Sequence, residues 1–421
     1  MQVSTQKAQT STQAALGVQS FIPSHVPADL VQPFSFIDAP GITSCPFATI
    51  KNLHNGPRVF WNPANHRFGG SWVLTRAEEI RFVLSRPDLF TNKDETQYSK
   101  LLGEDWPLIP LEVDPPLHTD FRKLLNPLVS PPVIEKMSAG VTARCVELIE
   151  GFRDKGECEF ISSFGKPFPV SIFMQLMGLP AELMDTFLGW EYDLFHGRTL
   201  EQRRKAGEAI KIYLLNLAEE RRKKPENDLV TAVVSGSVEG RPLTEIEVLG
   251  VLYLLFIGGL DTVASTLGFI FKYLGENQKH QQILRENPQM IDRKVEEFLR
   301  RFSVVTAHRQ CNFDVEIAGV QMKAGDWITV NSALGSLDEN EFDNPMELDL
   351  DRKGIRHFAF NFGHHFCMGS HLARRELIIA IKEWLARMPE FRVKPGAPFK
   401  THGGSVFGVE HLELEWDPPA K

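Results

Sequence analysis

The feature that most constrains this chain is a strongly apolar run near its middle, Val248–Leu260, which is uncharged and lies between Glu247 and Asp261. Its 13 residues are too few to cross a bilayer, which takes about 18 or more, so a buried core helix is expected. Thr244 and Glu247 match a capping box at the start of that helix. Helical periodicity continues to Gly275, over roughly 31 residues or about 47 Å, and such a helix must cross the whole molecule.

Two glycines, Gly258 and Gly259, lie inside this helix, where each costs about 1 kcal/mol relative to alanine. Thr262 follows Gly258 by one helical turn, so its hydroxyl can bond the Gly258 carbonyl and bend the helix. Close packing of another helix against the glycines is one interpretation. The other is a groove in which a ligand lies against an opened helix and meets Asp261 and Thr262.

Helical periodicity dominates much of the remaining sequence, from about 117 to 300 and again after Gly369. Short segments with the alternation of strands lie at 58–61, 71–75, 313–331 and 400–416. This pattern predicts a mainly α fold with small β-sheets, of the α+β class. Residues 23–421 are expected to form one domain, behind a polar and mobile arm over residues 1–22.

Composition narrows the class of protein. With 54 acidic and 46 basic residues, the formal net charge is −8, which argues against a nucleic-acid binder that works by bulk charge. The 43% of hydrophobic and 24% of charged residues are ordinary for a globular protein. The five cysteines are scattered and no export signal is visible, so reduced thiols in the cytoplasm, without a membrane anchor, are expected.

Chemically active side chains are densest in the segment Phe360–Glu376, around Cys367. A buried structural cysteine, the commonest fate of a free thiol, is one interpretation. A zinc site is a second, although zinc cysteines usually pair at close spacing and the nearest other cysteine, Cys311, is 56 residues away. A thiolate ligand to haem iron is the third.

The residues that flank Cys367 favour the third interpretation. Gly363 and Gly369 have no side chain, which would let a flat macrocycle approach the backbone. Cys367 precedes a predicted helix, whose free amides and macrodipole lower a thiol pKa. Phe360 and Phe366 supply an apolar wall that limits water at the sulfur.

This segment resembles the cysteine loop of cytochrome P-450 haem-thiolate monooxygenases, F-x-x-G-x-(R/H)-x-C-x-G, matched by Phe360, Gly363, His365, Cys367 and Gly369. Glu297–Arg300 matches the family's E-x-x-R motif, and Gly258–Thr262 matches its oxygen-activating motif. The resemblance runs from about residue 23 to 418 and is closest to soluble bacterial members of the camphor-hydroxylase type. It implies the P-450 fold, with the long central helix crossing a haem b whose iron is bound by Cys367.

The resemblance also implies roles for residues elsewhere in the chain. Asp261 would relay protons and Thr262 would hold dioxygen and a water. Basic residues that would bind the haem propionates are His118, Arg122, Arg309 and His365. Where the camphor-type pattern has an aspartate near a propionate, this chain has Ala307. Taken alone, His118 and Arg122 could equally form a solvent-facing pair on one helix face.

The resemblance assigns Glu297, Arg300 and Arg352 a structural role in supporting the cysteine loop. Glu297 and Arg300 are three residues apart, hence on one helix face, and such pairs are usually solvated surface contacts. Here Phe298, Leu299 and Phe302 surround the pair, which favours partial burial.

Electrons must come from outside this chain, because it has no Rossmann motif, flavin module or iron–sulfur cysteine run. The resemblance implies a small acidic 2Fe–2S ferredoxin and its NAD(P)H-dependent flavin reductase as partners of a monomeric enzyme that uses O2. Basic residues that could dock the ferredoxin are Arg122, Arg352, Lys353, Arg356, Arg374 and Arg375. Electron transfer should therefore depend on ionic strength.

By the same resemblance, apolar residues line the substrate pocket: Trp106, Leu108, Leu111, Leu254, Ile257, Val305 and Val406. Trp106 stands where camphor-type members have a tyrosine that holds the substrate ketone, and core packing is the alternative interpretation of this indole. Leu108 and Leu111 replace an aromatic and a hydroxyl residue of that pattern. These differences disfavour camphor and favour another monoterpenoid or a norisoprenoid ketone such as an ionone.

The first hypothesis for function is thus a ferredoxin-dependent monooxygenase that hydroxylates a small apolar terpenoid. The alternatives are a peroxide-driven or non-oxygenating haem-thiolate enzyme and a haem-binding sensor. The pair Asp261 and Thr262 argues against the peroxide-driven enzyme. A sensor would need neither this pair nor an apolar pocket.

Overall fold

The computed structural model of the protein describes residues 22–65 and 67–417. The arm expected over residues 1–22 lies outside this part, except for Ile22, and its mobility stays a prediction. Helices α1–α15 are, in chain order, Pro46–Lys51, Ala77–Ser85, Tyr98–Leu101, Leu117–Leu125, Pro131–Glu150, Pro167–Met177, Met184–His196, Leu200–Lys223, Leu229–Val234, Glu245–Leu260, Thr262–Glu276, Gln278–Glu286, Ile291–Arg301, Ser332–Ser336 and Ser370–Arg387.

Strands are short and form small sheets. Strands β1–β14 are, in chain order, Val59–Asn62, Ser71–Leu74, Phe90–Thr91, Glu157–Glu159, Ser237–Val238, Arg241–Pro242, Thr306–Cys311, Val315–Ile317, Val320–Met322, Trp327–Asn331, Phe391–Val393, Lys400–His402, Gly408–His411 and Glu413–Trp416. The largest sheet has the order β1-β2-β10-β7-β3, in which the β2–β10 pair is parallel and the other pairs are antiparallel. The predicted fold class, mainly α with small sheets, is confirmed.

The capping box predicted for the central helix is present. The Glu247 amide donates to Thr244 Oγ1 at 3.2 Å, and the Thr244 amide donates to Glu247 Oε2 at 2.8 Å. The helix is not continuous, however, because α10 ends at Leu260 and α11 begins at Thr262. The single helix expected from the periodicity is therefore two helices that meet at Asp261.

The hydrophobic interior has two clusters, and the central helix passes from one to the other. Buried residues of α10 belong to a cluster built from the helical half of the molecule, whereas those of α11 belong to a cluster that includes the large sheet, α5 and α15. Among the described residues, Glu245–Glu276 is the one stretch long and apolar enough to span a membrane, and most of it is buried inside the protein. A core helix has the same composition. The break at Asp261 lies at the border between the two clusters.

Candidate active site

Hydrogen bonds hold the loop around Cys367 in place on both sides of the sulfur. The loop leads from a short 3-10 turn, Gly363–His365, into α15. The Cys367 amide donates to the Phe360 carbonyl at 2.8 Å. On the other side, Arg122 Nη1 donates to the Phe366 carbonyl at 2.8 Å. Residues from two distant parts of the chain thus fix the position of the predicted ligand.

Cys367 differs from the cysteines that pack in the core. Its side chain is exposed, whereas Cys145, Cys158 and Cys311 are buried. This placement argues against a buried structural thiol. Within residues 22–65 and 67–417, no group of three or more His, Cys, Asp or Glu side chains could hold a metal ion, which argues against the zinc alternative.

The electrostatics of the free thiol differ from the expectation. Although Cys367 is accessible to solvent, it lies deep among protein atoms, and this burial raises its pKa. The amides of Gly369 and Ser370 and the cations Arg122 and Arg374 act in the opposite direction but are weaker. The expectation of a lowered pKa is therefore wrong for the free thiol. A bound metal deprotonates a coordinating thiol outright.

The two glycines beside Cys367 have different reasons to be glycine. Gly363 has φ +69°, and a Cβ there would lie 2.3 Å from the Leu84 carbonyl oxygen at the end of α2. A Cβ at Gly369 would lie 3.9 Å from Cys367 Sγ, an ordinary contact. Gly363 therefore has a further reason to be glycine in its backbone turn and its contact with α2, and the room that both glycines would leave for a macrocycle stays a prediction.

The basic residues predicted at the propionates lie close together. The rings of His118 and His365 have centroids 4.3 Å apart, and Arg122 and Arg309 both act electrostatically on His365. Both ring nitrogens of His118, Nε2 of His365 and Nη2 of Arg309 are buried and lack a hydrogen-bond partner in the described part of the chain. Buried polar atoms normally have partners, so this group of unpaired nitrogens indicates a ligand.

Like charges in this basic cluster indicate that the ligand is an anion. Burial lowers the pKa of His118 to about 4, and the charge of Arg122 acts in the same direction. Burial and the neighbouring cations, first among them Arg309, lower the pKa of His365 to about 2. Buried donors that repel one another are stabilised by a carboxylate or similar anion. The residues present therefore fit the two propionates of a haem, whose iron Cys367 would bind.

Two members of this region were missed from the sequence. His364 joins the basic cluster, with its ring centroid 6.4 Å from that of His118. Glu95 is buried and contacts Arg309 Nη1 at 3.4 Å, and its Oε1 accepts the His308 amide at 2.8 Å. The histidine pair at 364–365 was a visible signal, but nothing in the sequence links Glu95 to a residue more than two hundred positions away. Glu95 lies in the loop after β3, and the residues that it contacts lie on strand β7, which also carries Ala307.

Glu297, Arg300 and the partly buried Arg352 form an interior network rather than a surface pair. Arg300 donates to both carboxylate oxygens of Glu297 at 2.7 Å. Arg352 Nε donates to Glu297 Oε1 at 3.1 Å. Glu297 and Arg300 are more deeply buried than predicted, since both side chains are 0% exposed.

Of the two interpretations of the glycines in the central helix, close packing applies to Gly259 and an open groove applies to Gly258. A Cβ on Gly259 would lie 2.3 Å from the Phe173 ring, so close packing explains this glycine. Gly258 faces open space, with no atom within 4 Å of a Cβ built there. Thr262 Oγ1 donates to the Gly258 carbonyl at 3.4 Å, as expected for a bent helix. Asp261 is 8% exposed and accepts a hydrogen bond from Ser265 Oγ at 3.1 Å.

Residues predicted for the substrate pocket come from both hydrophobic clusters. Those of the helical cluster are Trp106, Leu108, Leu111, Leu254 and Ile257, and those beside the other cluster are Val305 and Val406. An isolated bridge joins Val305 to Val406. The two groups of pocket residues therefore lie on opposite sides of Asp261, where the two hydrophobic clusters meet.

The placement of two pocket residues differs from the expectation. Leu108 is 0% exposed, so it packs in the core and presents no free surface. The indole of Trp106 donates to Glu104 Oε2 at 2.5 Å, and Glu104 also pairs with Lys211 at 2.6 Å. Trp106, Glu104 and Lys211 line a surface depression of about 400 Å³. The Trp106 N–H is therefore engaged and does not replace the tyrosine hydroxyl as a donor to substrate.

Much of the basic patch predicted around Cys367 is already paired. Arg374 binds Glu296 at 2.6 Å, Arg375 binds Glu135, and Arg352 binds Glu297. Of the other three, Arg122 bonds the Phe366 carbonyl, whereas Lys353 and Arg356 are exposed and form no ion pair within the described residues. The free positive charge near the loop is therefore smaller than the sequence implies.

Comparison with known proteins identifies the family. Residues 170–403 match the family model described as Cytochrome P-450. The chain is 41% identical over 402 residues to "Probable cytochrome P-450 127A1" of Sinorhizobium fredii, which covers 94% of this chain and 97% of that protein. It is also similar to the solved structures of CYP101J2, with 34% identity and a TM-score of 0.84, and CYP101C1, with 32% identity and a TM-score of 0.85. Each covers 94% of this chain and 100% of the solved chain.

These similarities extend over nearly the whole chain and agree with the helical fold and with the cysteine loop at its basic cluster. The chain belongs to the cytochrome P-450 family of monooxygenases, whose cofactor is haem b with a cysteine thiolate as axial ligand.

Proposed function

We propose that this monooxygenase hydroxylates a small apolar terpenoid, a monoterpenoid or a norisoprenoid ketone such as an ionone, with electrons from a ferredoxin. Cys367 would bind the haem iron, and His118, Arg122, Arg309 and His365 would bind the propionates. The observation that carries this proposal is the set of buried, unpaired basic nitrogens beside the Cys367 loop. When bound, the thiolate-ligated haem supplies oxygen activation and insertion of one oxygen atom into a C–H bond.

The chemistry of the lining residues supports an apolar substrate. Apart from Trp106, every predicted lining side chain is aliphatic, and the Trp106 N–H is engaged by Glu104. Binding would then depend on apolar area and shape, at about 25 cal/mol per Å² removed from water. A ketone that needs a side-chain donor, as camphor does in the related pattern, would lose that contact here.

A panel of terpenoids tests the substrate class. Titration of the ferric protein with ionones, monoterpenoid ketones, camphor and a polar terpenoid diol should give the largest high-spin shift with an ionone, and a shift for camphor that is weaker by about tenfold in affinity, or about 1.4 kcal/mol. Absorption spectroscopy measures both quantities. Equal binding of the diol and the ionone would contradict an apolar pocket.

Asp261 and Thr262 lie where a proton path would cross the central helix. The Thr262 hydroxyl donates to the Gly258 carbonyl on the open side of the helix, and by turning away from this carbonyl it would donate its one proton to a water there. Asp261 is buried behind it, is bonded to Ser265, and could supply protons to the hydroxyl. A side chain that positions a proton in this way typically contributes about 10²–10⁴-fold to rate.

Replacing Thr262 with alanine should uncouple electron use from product formation. We expect the product formed per NADH to fall by about tenfold or more, with hydrogen peroxide released instead, because the hydroxyl that directs the proton is lost. Thr266→Ala is the matched control, since Thr266 lies one turn further along α11 and bonds the Thr262 carbonyl at 2.8 Å. Wild-type coupling in Thr262→Ala would contradict the role of this hydroxyl.

Electron transfer from an acidic ferredoxin should fall as salt is added. We expect a decrease of about tenfold between low and high ionic strength, because screening removes the attraction of the free charges Lys353 and Arg356. Stopped-flow reduction of the ferric protein measures this rate. Removing both charges should flatten the salt dependence, whereas Lys205→Ala, an exposed site on α8, should leave it unchanged. A rate that is flat with salt in the wild type would contradict an electrostatic partner.

A further inference from the structure

Two arginines near residues predicted for the substrate pocket have no carboxylate partner. Arg67 lies between β1 and β2, and Arg203 lies on α8. Both side chains are half-buried, yet the bonds that they make in the described part of the chain all go to uncharged oxygens. Cations that are withdrawn from water normally pair with an acid or bind a ligand. These two guanidinium groups therefore need an explanation that the protein itself does not supply.

The bonds of Arg67 are long. Its Nη2 donates to Ser405 Oγ at 3.3 Å and its Nη1 to the Glu95 carbonyl at 3.5 Å, whereas N–H···O bonds are usually about 2.9–3.0 Å. The carboxylate of Glu95 forms its ion pair with Arg309 instead. Ser405 directly precedes Val406, a residue predicted for the pocket. Arg67 thus brings a weakly bonded positive charge to the edge of that pocket.

Arg203 has even more unused donors. Its Nε donates to the Leu194 carbonyl at 3.0 Å, and neither Nη1 nor Nη2 has a partner among the described residues. Burial lowers the pKa of Arg203; Tyr98 acts in the opposite direction, and the charge of Arg67 acts to lower it further. A guanidinium group nevertheless keeps its charge in a protein. The two arginines therefore repel each other, and an anion that contacts both would relieve this repulsion.

Tyr98 is the side chain that both arginines approach. It is 8% exposed, and its hydroxyl group makes no hydrogen bond within the part of the chain that the structure describes. The ring of Phe195, one residue after the carbonyl that Arg203 bonds, lies 5.9 Å from the Tyr98 ring. Arg67 contacts the carbonyl three residues before Tyr98. Contacts with neighbouring residues therefore bring both guanidinium groups to the vicinity of this buried, unpaired hydroxyl.

The electrostatics of Tyr98 agree with this placement. Burial raises its pKa to about 12, Arg67 and Arg203 act in the opposite direction, and Glu191 and Asp261 act more weakly to raise it. The hydroxyl consequently keeps its proton at neutral pH and can donate it in a hydrogen bond. Buried polar groups normally have partners, so three donors, two of them cationic, are left for a ligand with negatively charged oxygens.

We propose that Arg67, Arg203 and Tyr98 bind the carboxylate of an otherwise apolar substrate, such as a terpenoid acid. The inference rests on the proposed apolar pocket and narrows the substrate class of that same site. Hydrogen bonds from a cation to a carboxylate are stronger than neutral ones, and the planar fork of a guanidinium matches the two carboxylate oxygens. A neutral terpenoid would leave both positive charges uncompensated.

A matched pair of ligands tests the proposal on the ferric holoprotein. β-Cyclogeranic acid carries the ring of an ionone and is ionised at pH 7.5, and its primary amide has nearly the same shape without the charge. We expect the acid to bind tighter than the amide by about tenfold or more, as measured by the spin shift and by titration calorimetry. Equal binding, or tighter binding of the amide, would overturn the proposal.

Variants of the three residues locate the carboxylate. Arg67→Gln and Arg203→Gln should each weaken acid binding by about tenfold and leave amide binding unchanged, and Tyr98→Phe should weaken it by about fivefold. Arg204→Gln is the matched control, because Arg204 is an exposed neighbour on α8 that pairs with Glu201 at 3.1 Å. It should keep the full preference for the acid. Because the acid and the amide are compared within each variant, a general loss of folded protein cannot imitate the effect.

The failure of this inference can be distinguished from failure of the proposed function. If an ionone shifts the spin state but the acid is not preferred over the amide, the inference is overturned and the proposed function stands. If no terpenoid in either series binds, both are overturned. A preference that persists in Arg67→Gln and Arg203→Gln, or that is lost equally in Arg204→Gln, would show that other charges attract the acid and would overturn the inference alone.

Discussion

Replacing Cys367 with serine should reduce product formation to at most about one hundredth of wild type, a rise of about 2.7 kcal/mol or more in the activation barrier. The hydroxyl group of serine cannot donate the electron density of a thiolate, which favours O–O cleavage in this family. The loop itself should persist, because its bonds to the Phe360 and Phe366 carbonyls come from backbone and from Arg122. Product analysis of purified protein, at equal haem content, measures the effect.

Cys45→Ser is the matched control for this substitution. Cys45 is the other exposed cysteine and lies at the start of α1, away from the loop. Its replacement should leave product formation unchanged. Full activity in Cys367→Ser, or an equal loss in both variants, would contradict the assignment of Cys367 as the haem ligand.

Arg300→Leu should cost about 3–5 kcal/mol of folding free energy, the usual effect of removing one partner of a buried ion pair. All five N–H donors of this guanidinium are used: two bond Glu297 and the others bond the carbonyls of Ser336, Pro345 and Glu347. The leucine would leave these carbonyls without a hydrogen-bond donor. Glu297 would keep only part of the positive charge and hydrogen bonding that offset the burial of its carboxylate. Because Ser336 Oγ in turn accepts the Phe358 amide at 2.9 Å, the damage should extend toward the cysteine loop and lower haem retention.

Urea unfolding of the holoprotein measures this loss. Arg293→Leu, at an exposed position of the same helix α13, is the control and should change stability by less than about 0.5 kcal/mol. If the two variants were equally stable, the network around Arg300 would have no structural role.

The sequence was most informative where function depends on neighbours along the chain. Glu297 and Arg300 are one turn apart, so their shared face could be predicted, and so could the capping box at Thr244. The residues of the cysteine loop are also contiguous, which is why that pattern is so specific. The bend at Gly258 and Thr262 could be foreseen from the spacing, although a complete break at Asp261 could not.

Side chains whose role depends on distant partners could not be predicted. Glu95 lies beside Arg309 only because β7 and the loop after β3 meet in the fold. Trp106 was expected to face the substrate, but its indole N–H donates to Glu104, which also pairs with Lys211.

The most direct test of the whole account is the spectrum of the purified wild-type protein after reduction under carbon monoxide. A thiolate from Cys367 on the haem iron predicts the red-shifted Soret band that defines this family, and the same band should be missing in Cys367→Ser. A wild-type spectrum with the band of a histidine-ligated or ligand-free haem would contradict the account.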